Sequence, residues 1–530
     1  MKGHVFGALL AAMLTIAGNG AAFAQADEEH VLRWASRGDA LTFDPYGQNE
    51  TPTITAIGQV YEPLVSRDAE LNLLPKLATS WELVDPLIWE FQLRAGVTFH
   101  DGTPFNGDDV AFSIQRAQGE TSDFRPLINT VTEVEVVSDH VVRFHTSVPT
   151  PLLINNLTDV FMMSRVWAVE HDAEEAQDFS AGEENHAVRH GIGTGPFILE
   201  LREPDIRTVM VRNDDWWGLE VFEPHNIDRI IYTPISNDAT RIAALLSGEI
   251  DFVLDPPLQD LRRIEGAPGL NVQQTAQVRT IFFGLNQGSE ELASSNIRGR
   301  NPFADVRVRQ AVFQAIDIDA IQSRIMRGLS YPAGVIISPP INGHTPELDT
   351  RPAFDPDVSR ALLAEAGYPD GFEVTLDCPN NRYVNDESIC QATVSMLARI
   401  GIDVTLDAQP KSLHFPKIDN RETDFYMQGW GVPTLDSEYV FQFLYYSGRA
   451  NNGTGYANPV LDDLTDQIAQ ELDFEVRDAL IAEAWQIVTD DVVFIPLHHQ
   501  VIVWAMRDTY QQPVVANNTP QFYMGRFVDE

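Results

Sequence analysis

The stretch from Leu73 to Arg116, LLPKLATSWELVDPLIWEFQLRAGVTFHDGTPFNGDDVAFSIQR, constrains the fold more than any other part of the chain. Trp81, Trp89 and Phe91 stand among alternating apolar positions, the period of strands that bury one face. Gly96, Asp101-Gly102 and Pro104 mark the turns between them. A small antiparallel sheet is expected, with its aromatics in the core. After Pro104, Asp108 and Asp109 precede Val110, Phe112 and Ile114, and carboxylates suit a helix N-terminus, where backbone N–H groups lack partners. A helix is therefore expected to follow the sheet. The block contains no paired nucleophile and base.

The chain of 530 residues is longer than one hydrophobic core supports, so two or three lobes are expected. Its formal charge is −41, and removal of the first 24 residues, which hold one Lys and no acid, makes it −42. Such a balance excludes nucleic acid and anionic membrane surfaces as partners, because both require a cationic footprint. At the N-terminus, Lys2 and His4 precede an apolar run from Val5 to Ile16, and Ala22-Phe23-Ala24 offers small residues at a cleavage site. Met1 to Ala24 reads as a secretory signal, with the mature chain starting at Gln25. No later run has the ~20 apolar residues of a membrane span, and no cysteine lies near the cleavage site to carry a lipid. A soluble exported protein of a Gram-negative periplasm is expected. Cys378 and Cys390 are the only cysteines, and in an oxidising compartment they are expected to pair. A two-cysteine metal site is the alternative, but no histidine lies between them to complete it.

The order PxLAxSWE followed by WxFxLRxGVxFHDGxPFxxxDVxFS in the opening block closely resembles the extracytoplasmic solute-binding proteins of the dipeptide, oligopeptide and nickel class, which serve ABC importers. GTGPF at 193–197, RNDDWWG at 212–218, SNDATRIAALLSGEIDFVL at 236–254 and VRVRQAVFQAID at 306–317 extend the resemblance over nearly the whole mature chain. It implies an α/β, two-lobed periplasmic binding protein fold (type II, cluster C) with an extra small lobe inserted in the first. By this analogy lobe I comprises 26–68, 190–280 and 497–530, lobe II 69–189, and lobe III 281–496, and a solute is buried as lobes I and III close. The glycines of GTGPF read as a crossing between lobes, since they lack the spacing of a phosphate loop.

Candidate ligand contacts follow from the resemblance and the local pattern. Tyr46 lies in the loop after the first strand, Val31 to Trp34, which in the class lines one cleft wall. Arg382 and Tyr383 lie in the loop between a strand at 373–377 and a helix at 387–399, at the carboxyl end where open α/β lobes place ligands. There Arg382 could grip a carboxylate and Tyr383 could stack. Gly429-Trp430 ends a strand and resembles the cleft loop of peptide binders, in many of which an Asp three residues after the Trp holds the α-ammonium of the ligand. Here that position is Pro433, and the first acid is Asp436, with Glu438 close behind. Trp430 and Asp436 are therefore taken as ligand residues, with Glu438 a possible substitute.

Other features are expected to be structural. Arg307 and Arg309 are placed on the solvent side of their helix, 287–301 as a surface insertion, and 170–177 as an acidic helix. His186 and His190, at helical spacing, lack an obvious third metal ligand. Adjacent His498 and His499 should point to opposite faces of a strand, which argues against a two-histidine nickel site. The reading is a binding protein with no catalytic residues, no cofactor and no resident metal. It is expected to act as a monomer, capturing a peptide or peptide-like solute for ABC permease subunits in the inner membrane. A nickel chelate, an oligosaccharide or an opine in the same fold is the alternative. An exported hydrolase is disfavoured, because neither GxSxG nor HExxH occurs.

Overall fold

The computed structural model describes residues 29–528, apart from 180, 224, 381 and 450. The expected signal, Met1 to Ala24, lies outside the described residues.

Two long strands, Leu270–Leu285 and Phe494–Arg507, run antiparallel through the middle of an 11-stranded sheet. On one side they lead to Phe252–Leu254, Val31–Ser36, Arg229–Pro234, Arg207–Arg212 and Phe197–Glu203, and on the other to Phe425–Gly431, Phe372–Pro379 and Ile402–Gln409, while the short Ser330–Pro332 pairs with Phe494–Arg507 off this path. Each side is built from parallel crossover units. Val31–Ser36 pairs in parallel with both Arg229–Pro234 and Phe252–Leu254, which are joined through the helix Asp238–Ser247. Phe372–Pro379 pairs in parallel with Ile402–Gln409 across the helix Asp386–Leu397, and with Phe425–Gly431 on its other edge. Strands in the middle of the sheet are buried on both faces whatever their pairing, and their apolar runs are continuous: Ile281-Phe282-Phe283 on an antiparallel strand and Phe425-Tyr426-Met427 beside a parallel one are all at most 1% exposed. The fold is the type II binding-protein architecture.

The Leu73–Arg116 block contributes two strands to a separate four-stranded sheet, in the order Ala78–Asp85, Ile88–Leu93, Val141–Thr146, Val131–Ser138, the last two coming from further along the chain. Phe91 and Phe144 pack against each other at 4.9 Å in its core. The helix follows at Gly107–Ala117, capped by Asn106, whose side chain accepts from the Asp108 N–H while Asp109 accepts from the Asn106 N–H.

Several expectations are corrected. Only Arg307 is solvent-directed. The Arg309 guanidinium is buried and donates to the carbonyls of Phe303, Ala304, Asp491 and Val492, so it satisfies the end of the helix Phe474–Asp490 that repeats of apolar residues cannot reveal. The acidic run 170–177 is not a helix: the helix Arg165–Glu170 ends where the run begins. Beyond it the carbonyls of Ala173 and Glu175 turn to accept from Arg116, whose guanidinium is ion-paired with Asp44, both side chains being fully buried. Arg116 thus holds the segment out of a helix. Within 287–301, Leu292, Ser295 and Asn301 are buried, and Asn301 donates to the carbonyls of Asn286 and Ser289, so this insertion is packed rather than superficial.

Cys378 and Cys390 are disulfide-bonded, joining the end of the strand Phe372–Pro379 to the helix Asp386–Leu397 across a sequence separation of 12. The bond closes the loop that carries Arg382 and Tyr383. A loop of this size restricts the unfolded chain by about 3 kcal/mol. Replacing both cysteines with serine is expected to lower the unfolding free energy by about that amount in urea titrations, and an unchanged midpoint would contradict it.

Candidate functional site: an inter-lobe cleft

The crossing strands lose their mutual register between Ala276/Thr280, where Gln277, Val278 and Arg279 lie opposite Gln500 alone. At this break Val278 turns its backbone outward, donating to the Ala516 carbonyl and accepting from the Val432 N–H. Such interruptions re-aim side chains, and Arg279 is delivered into a cleft of about 1100 Å³ between the lobes. That volume lies just above the range of about 300–1,000 Å³ usual for small-molecule sites.

Three elements complete the far wall. Arg382 and Tyr383 follow the strand Phe372–Pro379, in a loop fixed by the Asp386 carboxylate, which accepts from both their N–H groups at 2.9 and 3.0 Å. The Tyr383 hydroxyl accepts from the Gly429 N–H at 2.7 Å, joining this loop to the next strand. Arg382 lies over the Tyr383 ring at 5.1 Å. Trp430, at the end of Phe425–Gly431, is grouped with Tyr439 and Phe443, at ring separations of 5.9 and 6.0 Å. Arg382, Tyr383 and Trp430 therefore share one wall with Arg279.

The polar groups of this wall are unusually free. Neither Arg279 nor Arg382 forms an ion pair with any described residue. Burial, and then the charge of Arg382, press Arg279 below the usual guanidinium range. Glu438 faces the same space, and burial followed by repulsion from Asp436 pushes its carboxyl up to about 7. The buried Gln428 Oε1, Trp430 Nε1, Thr434 Oγ1 and Gln442 Oε1 have no hydrogen-bond partner among the described residues. Buried polar atoms are rarely left so, and here four of them border one cavity.

Two candidates are placed elsewhere. Asp436 is buried, and both of its oxygens are held by Arg477 at 2.7 Å, with Asn342 donating at 3.1 Å. It also caps the helix Ser437–Val440. This acid is neutralised by Arg477 and is not available to an ammonium; the chain, which lines the cleft up to Leu435, returns to it at Glu438. Tyr46 is 0% exposed, with its hydroxyl donating to the Phe161 carbonyl and its ring against Phe124. Phe124 and Phe161 line the cleft and Tyr46 backs them. A loop aromatic looks the same in sequence whether it faces a ligand or supports the residues that do.

Arg279 carried no usable signal, because it sits in the polar run QQTAQVRT and is singled out only by the break in register. On the near wall Glu62 is enclosed, accepting from Thr194, Trp216 and Trp217 and paired with Lys76 at 3.3 Å, which rests over the Tyr523 ring at 3.9 Å. The near and far walls touch where the Asn155 side chain donates to the Thr434 carbonyl at 2.9 Å. His186 and His190 stack face to face at 4.3 Å, and neither they nor His498 and His499 line the cleft.

Residues 72–452, more than two thirds of the chain, match the family model of bacterial extracellular solute-binding proteins, family 5. The chain is 24% identical over 493 residues to the glutathione-binding protein GsiB of Escherichia coli, covering 88% of this chain and 90% of that one. It is 27% identical over 502 residues to a dipeptide-binding protein of Pseudomonas aeruginosa, covering 90% of each. Among solved structures, DppA of Helicobacter pylori in complex with the peptide STSA superposes with a TM-score of 0.73 at 24% identity, covering 94% of this chain and 98% of that one. HbpA2 of Haemophilus parasuis gives 0.81 at 23%, covering 94% and 100%. No helix among the described residues is long and apolar enough to cross a membrane. The chain belongs to family 5 of the bacterial extracellular solute-binding proteins.

Proposed function

We propose that this protein is the monomeric periplasmic receptor of an ABC importer, and that it buries a short peptide or peptide-like solute between its lobes for delivery to the permease. The observation that carries this reading is the set of unpaired groups on one cleft wall: two arginines, one carboxyl and four orphaned polar atoms. Arg279 and Arg382 would hold a carboxylate by charge-assisted bonds. Glu438 would take the ammonium in place of the acid that Pro433 displaces, and Trp430, Tyr439 and Phe443 would flank a side chain. Ligand contact with both walls would favour the closed arrangement. Relatives carrying glutathione or a peptide in their names agree with a peptide-like solute. An opine-type anion is the second reading, favoured by the arginine pair, since the neighbour AgaA is described in complex with agropinic acid. Export would remove Met1 to Ala24, and a mature mass beginning at Gln25 is the expected result. A retained N-terminus would contradict it.

Isothermal titration with glutathione and a series of di- to tetrapeptides tests the assignment. Arg382→Ala and Arg279→Ala should each weaken the bound peptide by about 10–100-fold, the value of a lost charge-assisted contact. Trp430→Ala should weaken it by about tenfold with the fold intact. Equal affinities in all three variants would remove the cleft assignment, whereas loss with the arginine variants but not with Glu438→Gln would select the opine-type anion.

Glu438 gives a second check, on stability. Its folded carboxyl titrates near 7 against an ordinary value of 4.5, so between these values the folded state holds a proton that the unfolded state has lost. Stability therefore falls as pH rises through this window. Glu438→Gln should stabilise the ligand-free protein at pH 8 by about 1–2 kcal/mol and have little effect at pH 4. A stabilisation of equal size at both values would contradict the assignment.

A further inference from the structure

We propose that His344, Asp349 and His499 form a binding site for one zinc(II) ion, separate from the solute cleft. Among the described residues these are the group whose ligand atoms converge, all lying within 4.8 Å of one another. None of the three lines the cleft.

The geometry is that of a site already oriented. His499 stands on the crossing strand opposite Thr280, at the edge of the break in register, and its Nδ1 is 2.8 Å from Thr280 Oγ1. Its Nε2 then faces Asp349 Oδ2 at 3.0 Å, and His344 Nε2 reaches the same oxygen at 3.2 Å. Four ligands around zinc at about 2.0–2.1 Å stand about 3.3 Å apart, so the two nitrogen–oxygen separations are already near the required value. The His344 and His499 rings are inclined at 70°, which lets their nitrogens converge instead of stacking. The other Asp349 oxygen accepts from the Gly334 and Val335 N–H groups at 2.7 and 3.2 Å, fixing the carboxylate with its free side toward the histidines. Partners of this kind, Thr280 on a ligating imidazole and backbone N–H groups on a ligating carboxylate, are the usual outer supports of metal ligands.

Two imidazoles and one carboxylate form a borderline nitrogen–oxygen set that suits zinc over the oxygen-seeking calcium and magnesium, with a fourth position left for an exchangeable ligand. The His344 and Asp349 side chains are 9% and 14% exposed while His499 is 1%, so entry is from the His344 side. The nearby cation Arg351 turns its guanidinium to the carbonyls of Ala333 and Pro496, away from the nitrogens. The location gives an ion mechanical meaning. Two residues before His344, Asn342 bonds through its backbone to Leu435 and Ser437 and through its side chain to Asp436, the segment that leads into the cleft wall. Zinc would tie that segment to the crossing strand.

Untagged, chelator-treated protein titrated calorimetrically with zinc(II) should bind one ion, and cobalt(II) should give visible absorption bands of a four-coordinate site. His344→Ala should abolish the cobalt bands and weaken zinc at least about tenfold, and Thr280→Val, which removes only the outer support, should weaken it by about 10–100-fold. His140→Ala, at an exposed surface histidine, should bind as the wild type does. His344 lies in a partly exposed loop, so its variant should fold, and circular dichroism verifies this. No zinc binding by the wild type, or the same affinity and stoichiometry in His344→Ala, would overturn the proposal.

Discussion

The cleft depends on one constraint, that the strands Leu270–Leu285 and Phe494–Arg507 form the middle of a single sheet and carry parallel units on both of their outer edges. At about 3.3 Å per residue the longer of them spans about 50 Å, enough to pass through two cores. The other strands of this sheet are added to the ribbon by hydrogen-bonded pairing, and the ribbon's own pairing is interrupted at one place beside the cleft. That place is the loss of register between Ala276 and Thr280. The same three residues that interrupt the ladder contribute Arg279 to the cleft and bond Val278 to Ala516 and Val432, so the break in register and the cleft wall are one structure.

Buried ion pairs decide which charges are left for a solute. Asp44 with Arg116, Asp39 with Arg202 and Asp436 with Arg477 are all nearly inaccessible and mutually satisfied. A pair of this kind is expensive to break from one side, because the remaining partner is left charged in a poor solvent for charge. Such groups hold segments in place and have little left to offer a ligand. Arg279, Arg382 and Glu438 lack such partners; Arg382 is exposed, whereas Arg279 and Glu438 are enclosed, and their shifts record the cost of that enclosure. In a chain with a formal charge of −41, two unpaired arginines on one wall make a local exception to the acidic field.

The far wall is also braced around Arg382. The disulfide, the Asp386 carboxylate and the Tyr383 hydroxyl each fix the loop that carries Arg382, to the helix behind it and to the strand beside it. A guanidinium held on such a loop loses less freedom on binding than one on an unsupported chain. The aromatic group of Trp430, Tyr439 and Phe443 adds a surface whose shape is set by ring contacts.

Much of this was legible in the sequence. The alternating aromatics of Leu73–Arg116 specified their sheet, strand–helix–strand periodicity specified the parallel units, and the motif order specified the family, because each rests on local patterns that burial enforces. Arg382 and Tyr383 could be placed toward a cleft because open sheets of this kind put ligands at carboxyl-end loops, and Trp430 by the resemblance of Gly429-Trp430 to the family's cleft loop. The fates of Arg309, Asp436, Tyr46 and Arg279 could not be read. Each depends on a partner far away in the chain: carbonyls at 491–492 for Arg309, Arg477 for Asp436, Phe161 for Tyr46, and a break in pairing with 499–501 for Arg279. Sequence by itself determined the elements and their order. Which charges were consumed in holding those elements together, and which were left facing the cleft, was decided only when tertiary packing chose the partners, because a charge is free or satisfied according to what lies within a few ångströms and not according to its neighbours along the chain.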